Sequence, residues 1–455
     1  MNSTTLYHKF SSSLRWNGFF FATYEILNAS ISFTLYHRLS TQDFSLWATT
    51  LSSIYLILLW FDWGLSKSVP RYAPVFSRNL QDHKYFVTSL WAIQILLLLP
   101  GIPLLIYYLI SQSTQLSLLI IALAIFVSEG LVKILRLTYH AHFHNKQFNL
   151  FNTTTVILEV SLTLILIFSI QHTNSLLLSI LATKLFCSLI LALIALYHLS
   201  SLYTDKDYKG DQALDLKKAI KDCASHSIIM GGTNILTSLS ERNFLIPLFT
   251  YTLGQEASNI FKIANDAALI FYRFVIKTID TTDTALLSHI ETMPNRKELL
   301  PNAFKNLSTK IATLCIPLLG ILVLLLFIDR YNSYNSLVFN LFFIIAFSYM
   351  IDALFSAYER VLEVKRKYLL LAFSYAPYVL ILICLSLISS FGLVNSILFL
   401  HVVRLVQVLV CLYFVRTLYK LQFPFRFALE LMALVSPYIV VGCILLYIVS
   451  RFLFI

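Results

Sequence analysis

The chain has 455 residues, of which 58% are hydrophobic and 15% aromatic, and only 13% are charged, against about 25% charged in an ordinary soluble domain. A mean hydropathy of +0.75 excludes a water-soluble protein and a disordered one, because so apolar a chain has more surface to hide than its loops could keep in water. The formal net charge of +11, from 34 Lys and Arg against 23 Asp and Glu, would point to nucleic acid in a soluble protein; here it records topology, and nucleic acid is not an expected partner.

Runs long enough to cross a bilayer need roughly 20 apolar residues. Taken in chain order, about thirteen emerge, near residues 16–37, 44–66, 86–110, 116–136, 152–170, 176–199, 225–249, 257–279, 308–328, 336–357, 368–391, 393–415 and 430–454. The segments between them alternate in charge. One set is basic: the N-terminus (Lys9, Arg15), then Lys67, Arg71, Arg78 and Lys84, then Arg136 and Lys146, then the 200–222 loop, the 280–310 loop, Arg360 to Lys367, and Arg416 to Arg426. The opposite set carries only Arg38, Arg330 and Arg451. The positive-inside rule puts the first set, and the N-terminus, in the cytoplasm. The outer loops are too short for an enzyme domain, so the chain is not expected to be an enzyme. The 201–223 stretch, rich in both Asp and Lys, reads as a cytoplasmic linker between an N-terminal six-helix bundle (1–200) and a second one (224–418), with an extra helix over 419–455. The first helix reads as retained, because no cleavage site follows it.

Elements recur in matching order. Arg38 to Trp47 joins the first two spans and Thr252 to Phe261 joins the seventh and eighth; each is a tight outer turn, a Gln-acid pair and an aromatic in the next helix. Ser128-Glu129-Gly130 and Asp352 each lie in a helix that runs into a basic inner turn. Two bundles in the same orientation are related by an axis along the membrane normal, the arrangement of transporters that work by alternating access.

The stretch from Leu39 to Tyr72, with the STQDFSLW turn, Gly64-Leu65 and Arg71-Tyr72, resembles the helix 1 to 2 signature of polysaccharide-transport proteins, the O-antigen and lipid-linked oligosaccharide flippases; LGQEASNIFKIANDAALIF echoes it in the second half. The pattern covers about the first twelve helices by the span count. Two features depart from it. Ser45 stands near the place of the usual first-turn glycine, and the thirteenth helix lacks a fourteenth. The resemblance implies an all-α polytopic fold of the multidrug/oligosaccharidyl-lipid/polysaccharide exporter superfamily: two six-helix pseudo-repeat bundles forming a V-shaped central cavity. It further implies a flippase in the bacterial inner membrane that moves a polyprenyl-pyrophosphate-linked glycan, with membrane lipids, a glycan polymerase and glycosyltransferases as partners. A cation-coupled multidrug antiporter of the same fold and a peptidoglycan-precursor flippase are the alternatives.

An ionisable group at the bilayer centre costs about 2.5 to 3.5 kcal/mol, so each should face protein or water. Glu25, Asp62, Glu129, Glu159, Lys184, Glu241, Arg242, Lys262, Asp266, Asp352 and Arg404 all fall in predicted spans. For a pyrophosphate substrate, Arg242, Lys262, Arg404 and Lys184 are the candidate binding residues, because a guanidinium fork and a compact ammonium suit phosphate oxygens. Glu25, Asp62, Glu241 and Asp266 are the candidate ion-coupling residues. Lys262 and Asp266, four apart, share a helix face and can equally neutralise one another. No cofactor and no metal site is expected: the cysteines lack metal spacing, and the His140-Ala141-His142-Phe143-His144 run has no acidic or Cys partner beside it. A P-loop is absent, so energy must come from an ion gradient or from downstream consumption. Pro247, after Gly231-Gly232 and Glu241-Arg242, is expected to bend the seventh span.

Overall fold

The computed structural model describes residues 20, 23–66, 68–69, 80–111, 115–141, 145–170, 173–202, 216–291, 296–332, 337–365, 367–437 and 441. The His140–His144 side chains, Arg71-Tyr72, most of the 201–223 linker and most of the 430–454 span lie outside them. The described residues are almost entirely helical, without a strand, and eight helices among them are long and apolar enough to cross a membrane. That is the pattern of a multi-pass membrane protein, and it matches the all-α expectation.

The helices used below are, in chain order, α1 (23–38), α2 (Thr41–Trp60), α3 (Leu80–Leu98), α4 (Gly101–Ser111), α5 (Leu116–Ala141), α6 (Asn145–Ser169), α7 (Thr173–Leu202) and α8 (Leu216–Ser238). They continue with α9 (Arg242–Thr252), α10 (Gln255–Glu291), α11 (Arg296–Asn332), α12 (Leu337–Val364), α13 (Tyr368–Ser374), α14 (Val379–Ile383) and α15 (Leu385–Tyr419).

Spans 1 and 13 lie partly outside the described residues, and three others take a different form. The seventh span is two helices, α8 and α9, separated by a turn. The eighth lies in α10, where Lys262, Asp266 and Arg273 put three charges within twelve residues. The eleventh is cut into α13, a 3-10 turn at Ala376–Tyr378 around Pro377, and α14. The predicted boundary at residue 392 coincides with Gly392, whose φ of 70° interrupts α15.

The chain divides into two compact units. One comprises Ile26–Asn259, the other Met1–Glu25 with Ile260–Ile455.

In the first unit, α2 begins at Ser40, whose hydroxyl accepts from the Asp43 N–H at 3.1 Å and donates to the Asp43 carboxylate at 2.7 Å, so Ser40 caps the helix N-terminus. Arg38 donates to the Ile167 carbonyl at 2.8 Å, closing the C-terminus of α6 with a positive charge, as the helix dipole favours. Two of the hydroxyls buried along α2 are consumed within the helix: Thr49 donates to the Ser45 carbonyl and Ser53 to the Thr49 carbonyl, both at 2.8 Å. Helix α5 packs with α6 and α7 around fully buried Tyr139, whose hydroxyl donates to the Ala195 carbonyl at 2.9 Å. Asn259, in the first turns of α10, donates to the Thr41 carbonyl at the start of α2 at 2.9 Å.

In the second unit, α11, α12 and α15 pack side by side. Phe304 meets Tyr358 edge-on at 5.1 Å, and Phe355 packs on Phe423 at 5.5 Å. Without a hydrophobic driving force in lipid, such close packing and the internal polar pairs described next hold helices together.

Candidate functional site: matched charges inside each unit

Helix α2 stops at Trp60, and Phe61 to Gly64 form a turn with Trp63 and Gly64 at φ of 47° and 73°. A break frees carbonyls that lipid cannot satisfy. Lys133, on α5, donates to one of them, the Leu58 carbonyl, and its ammonium lies 3.2 Å from Asp62 Oδ1. Asp62 Oδ2 in turn accepts from the Ser66 N–H at 3.1 Å and its hydroxyl at 2.6 Å, capping the helical turn beyond the break. Asp62, expected as an ion-coupling residue, is thus built into a helix break. Sequence reasoning misses its partner Lys133; the signal available was a lysine four residues after Glu129 in an otherwise apolar span.

The same break is clamped by α8. A Cβ on Gly64 would lie 2.5 Å from the Ser227 carbonyl oxygen, and one on Gly231 would lie 2.9 Å from the Trp63 backbone. Ser68 hydrogen bonds His226 at 3.1 Å, and Trp60 donates to Ser238, the last residue of α8, at 2.7 Å. The break between α8 and α9 therefore touches the break in α2. Pro247 sits inside α9, and the chain opens one turn before that helix is established, at Leu239–Glu241. Glu241 takes the N-cap position of α9 without a side-chain capping bond, and Arg242 is its first residue; both are half-buried.

Lys184, on α7, lies 3.3 Å from Glu129 on α5 and 3.2 Å from Glu159 on α6. One predicted substrate-binding cation is therefore matched by two carboxylates.

In the second unit, Lys262 donates to Asp266 at 2.6 Å, with both side chains buried. The two predicted roles, substrate cation and coupling acid, meet in one pair. Beside Asp266, Asn265 accepts from the Tyr349 hydroxyl on α12 at 2.7 Å. Further along α10, Arg273 donates to Glu25. Arg273 follows Asp266 by seven residues, about two helical turns, which keeps it on the same stripe of the helix. Arg404, on α15, has its Nε 3.5 Å from Asp352, and its guanidinium lies over the Tyr349 ring at 4.7 Å and the Tyr272 ring at 5.8 Å. Gln407, one turn on, donates to Glu359 at 2.7 Å.

Each predicted membrane-embedded carboxylate outside the α8–α9 turn thus has a base beside it, and Lys262, Arg404 and Lys184 each have an acid. Among the described residues, no group of three or more His, Cys, Asp or Glu is placed to hold a metal.

No family model matches the sequence, and no curated protein matches it. Solved structures do. A superfamily transporter from Pyrococcus furiosus Vc1, described by its reverse-polarity binding pocket, is 11% identical, with 89% of this chain and 95% of that one covered and a TM-score of 0.57. The eukaryotic MATE transporter AtDTX14 is 13% identical, with 94% and 100% covered and a TM-score of 0.55. The Vibrio cholerae MATE transporter VcmN, solved as a point mutant, is 14% identical, with 91% and 100% covered and a TM-score of 0.55. The chain has the two-repeat helical-bundle fold seen in these transporters.

Proposed function

We propose that the protein is a cation-coupled exporter of organic cations, in the manner of a multidrug antiporter. One observation carries this reading: three of the four cations expected to greet a pyrophosphate already face carboxylates. Lys262 is held by Asp266, Arg404 faces Asp352, and Lys184 sits between two acids. A phosphate would have to displace a carboxylate from each of them. A proton or a cation, by contrast, competes for the acid side of such pairs, and exchange between a coupling ion and a cationic cargo is the work an antiporter does. Glu25, 3% exposed and paired with Arg273, is the proposed coupling carboxylate, because protonating it releases an acid–base bond between α1 and α10.

In everted vesicles carrying a proton gradient, the wild-type protein should accumulate ethidium, and Glu25→Gln should slow it about tenfold, within the usual range of coupling between linked sites. Wild-type vesicles that move no ethidium or tetraphenylphosphonium under proton or sodium gradients would overturn the proposal.

The second reading, translocation of a lipid-linked oligosaccharide, rests on the Leu39–Tyr72 element with its polysaccharide-transport pattern. It expects loss of surface glycan on deletion of the gene, ethidium transport notwithstanding, and it alone calls for glycosyltransferases as partners.

A further inference from the structure

The Arg404 pair differs from its neighbours. Lys262 and Asp266 are in hydrogen-bond contact at 2.6 Å, whereas Arg404 and Asp352 are 3.5 Å apart and the Arg404 Nε, buried, makes no hydrogen bond. What holds the guanidinium instead is aromatic. It lies 4.7 Å from the Tyr349 centroid and 5.8 Å from that of Tyr272, and the two rings are 4.8 Å apart and inclined by 32°. Both distances are within cation–π range, about 6 Å. The residues come from three helices: Tyr272 from α10, Tyr349 and Asp352 from α12, Arg404 from α15.

Two tyrosine faces and one carboxylate are the recognition set for a weakly hydrated organic cation, such as a quaternary ammonium or phosphonium. We propose that Arg404 is a tethered stand-in for cargo: the Tyr272, Tyr349 and Asp352 cage binds an organic cation when the Arg404 side chain swings out of it. The exchange is charge-neutral for the cage, since one monovalent cation replaces another beside Asp352. It is feasible because Arg404 is held by ring faces and a long ion pair rather than by a directed Nε hydrogen bond. The side chains of Arg404 and Asp352 retain 12% and 13% exposure, which leaves an edge from which a cation can approach. Arg404 also keeps Asp352 neutralised when no cargo is present. This inference rests on the cation-exporter reading and names its cargo site.

The test is calorimetric titration of the purified full chain with tetraphenylphosphonium. An internal competitor reduces apparent affinity by the fraction of time it occupies the site, so Arg404→Met should bind the probe about tenfold more tightly than wild type, while Arg404→Lys, which keeps a tethered cation, should not. Adding Tyr349→Leu to Arg404→Met should abolish the gain. No gain in Arg404→Met, or a gain that survives Tyr349→Leu, overturns the cage. If Arg404→Met does not fold, Tyr349→Leu and Tyr349→Phe in the wild-type background decide. Loss of binding with leucine and retention with phenylalanine supports the cage, and equal binding by the two overturns it. The cage and the exporter reading fail separately. Ethidium export that is indifferent to Tyr349→Leu removes the cage and leaves the exporter; a tightened titration by Arg404→Met in a protein that exports no cation removes the exporter and leaves the cage.

Discussion

At the scale of single residues, the described molecule treats charge in lipid as a matching problem. Breaking a buried ion pair by removing one partner costs about 3 to 5 kcal/mol, because the survivor stays buried and unmatched, whereas replacing both partners is much milder. Lys133→Met should therefore lower the thermal stability of the detergent-solubilised protein sharply, and Lys133→Met with Asp62→Asn should recover most of it. A double variant no better than the single one would show that Lys133 works through the Leu58 carbonyl alone. Lys262→Ala should behave likewise, with Asp266→Asn as its partial rescue. Only the Lys262–Asp266 pair is legible in the sequence, because both partners lie on one helix and the four-residue spacing fixes their face. Asp62–Lys133 and Glu25–Arg273 join different helices, and which base meets which acid is settled by tertiary packing that no local spacing encodes. The acids themselves are legible, since an intramembrane carboxylate is conspicuous wherever its partner lies.

At the scale of elements, the helix breaks decide more than the helices. Composition locates most spans and the residue-392 boundary, but a proline is a blunt guide. Pro247 predicts a bend, but the chain opens at Leu239–Glu241, before Asn243, whose carbonyl is the one a proline ring at 247 disturbs. The break in α2 is less legible. Gly64 stands out in the sequence only as part of a motif, and its physical reason is the α8 backbone, which leaves no room for a side chain. Gly231→Ala, forcing a Cβ to within 2.9 Å of the Trp63 backbone, should destabilise the protein by about 1 to 3 kcal/mol, the ordinary cost of overpacking. Gly232→Ala, with nothing near its Cβ, is the matched control. Equal melting temperatures for the two would mean that the α2–α8 contact does not constrain the fold.

At the scale of the whole molecule, the basic excess and the buried charges do separate jobs. Most Lys and Arg fall between the predicted spans, on the side expected to face the cytoplasm, while Lys133, Lys184, Lys262, Arg273 and Arg404 each face a carboxylate. Altering that distribution should show in topology: adding two or three Lys to the outer turn at Ser40 should weaken the inside-positive bias of the first helices, and a reporter fused after residue 39 should then report mixed orientation. An unchanged, single orientation would place the determinant elsewhere.

The Glu25–Arg273 bond has a consequence for how the protein is made. Its partners are 248 residues apart, and the unit that contains them joins Met1–Glu25 to Ile260–Ile455, across the whole of the other unit in sequence. During translation, Glu25 must enter the bilayer long before its base exists. Helix α1 is thus committed to the membrane with its carboxylate waiting, and the second unit closes only when the ribosome has delivered α10. Nascent chains halted before Arg273 should hold that helix less firmly, and be cleared faster by membrane proteases, than chains halted after it.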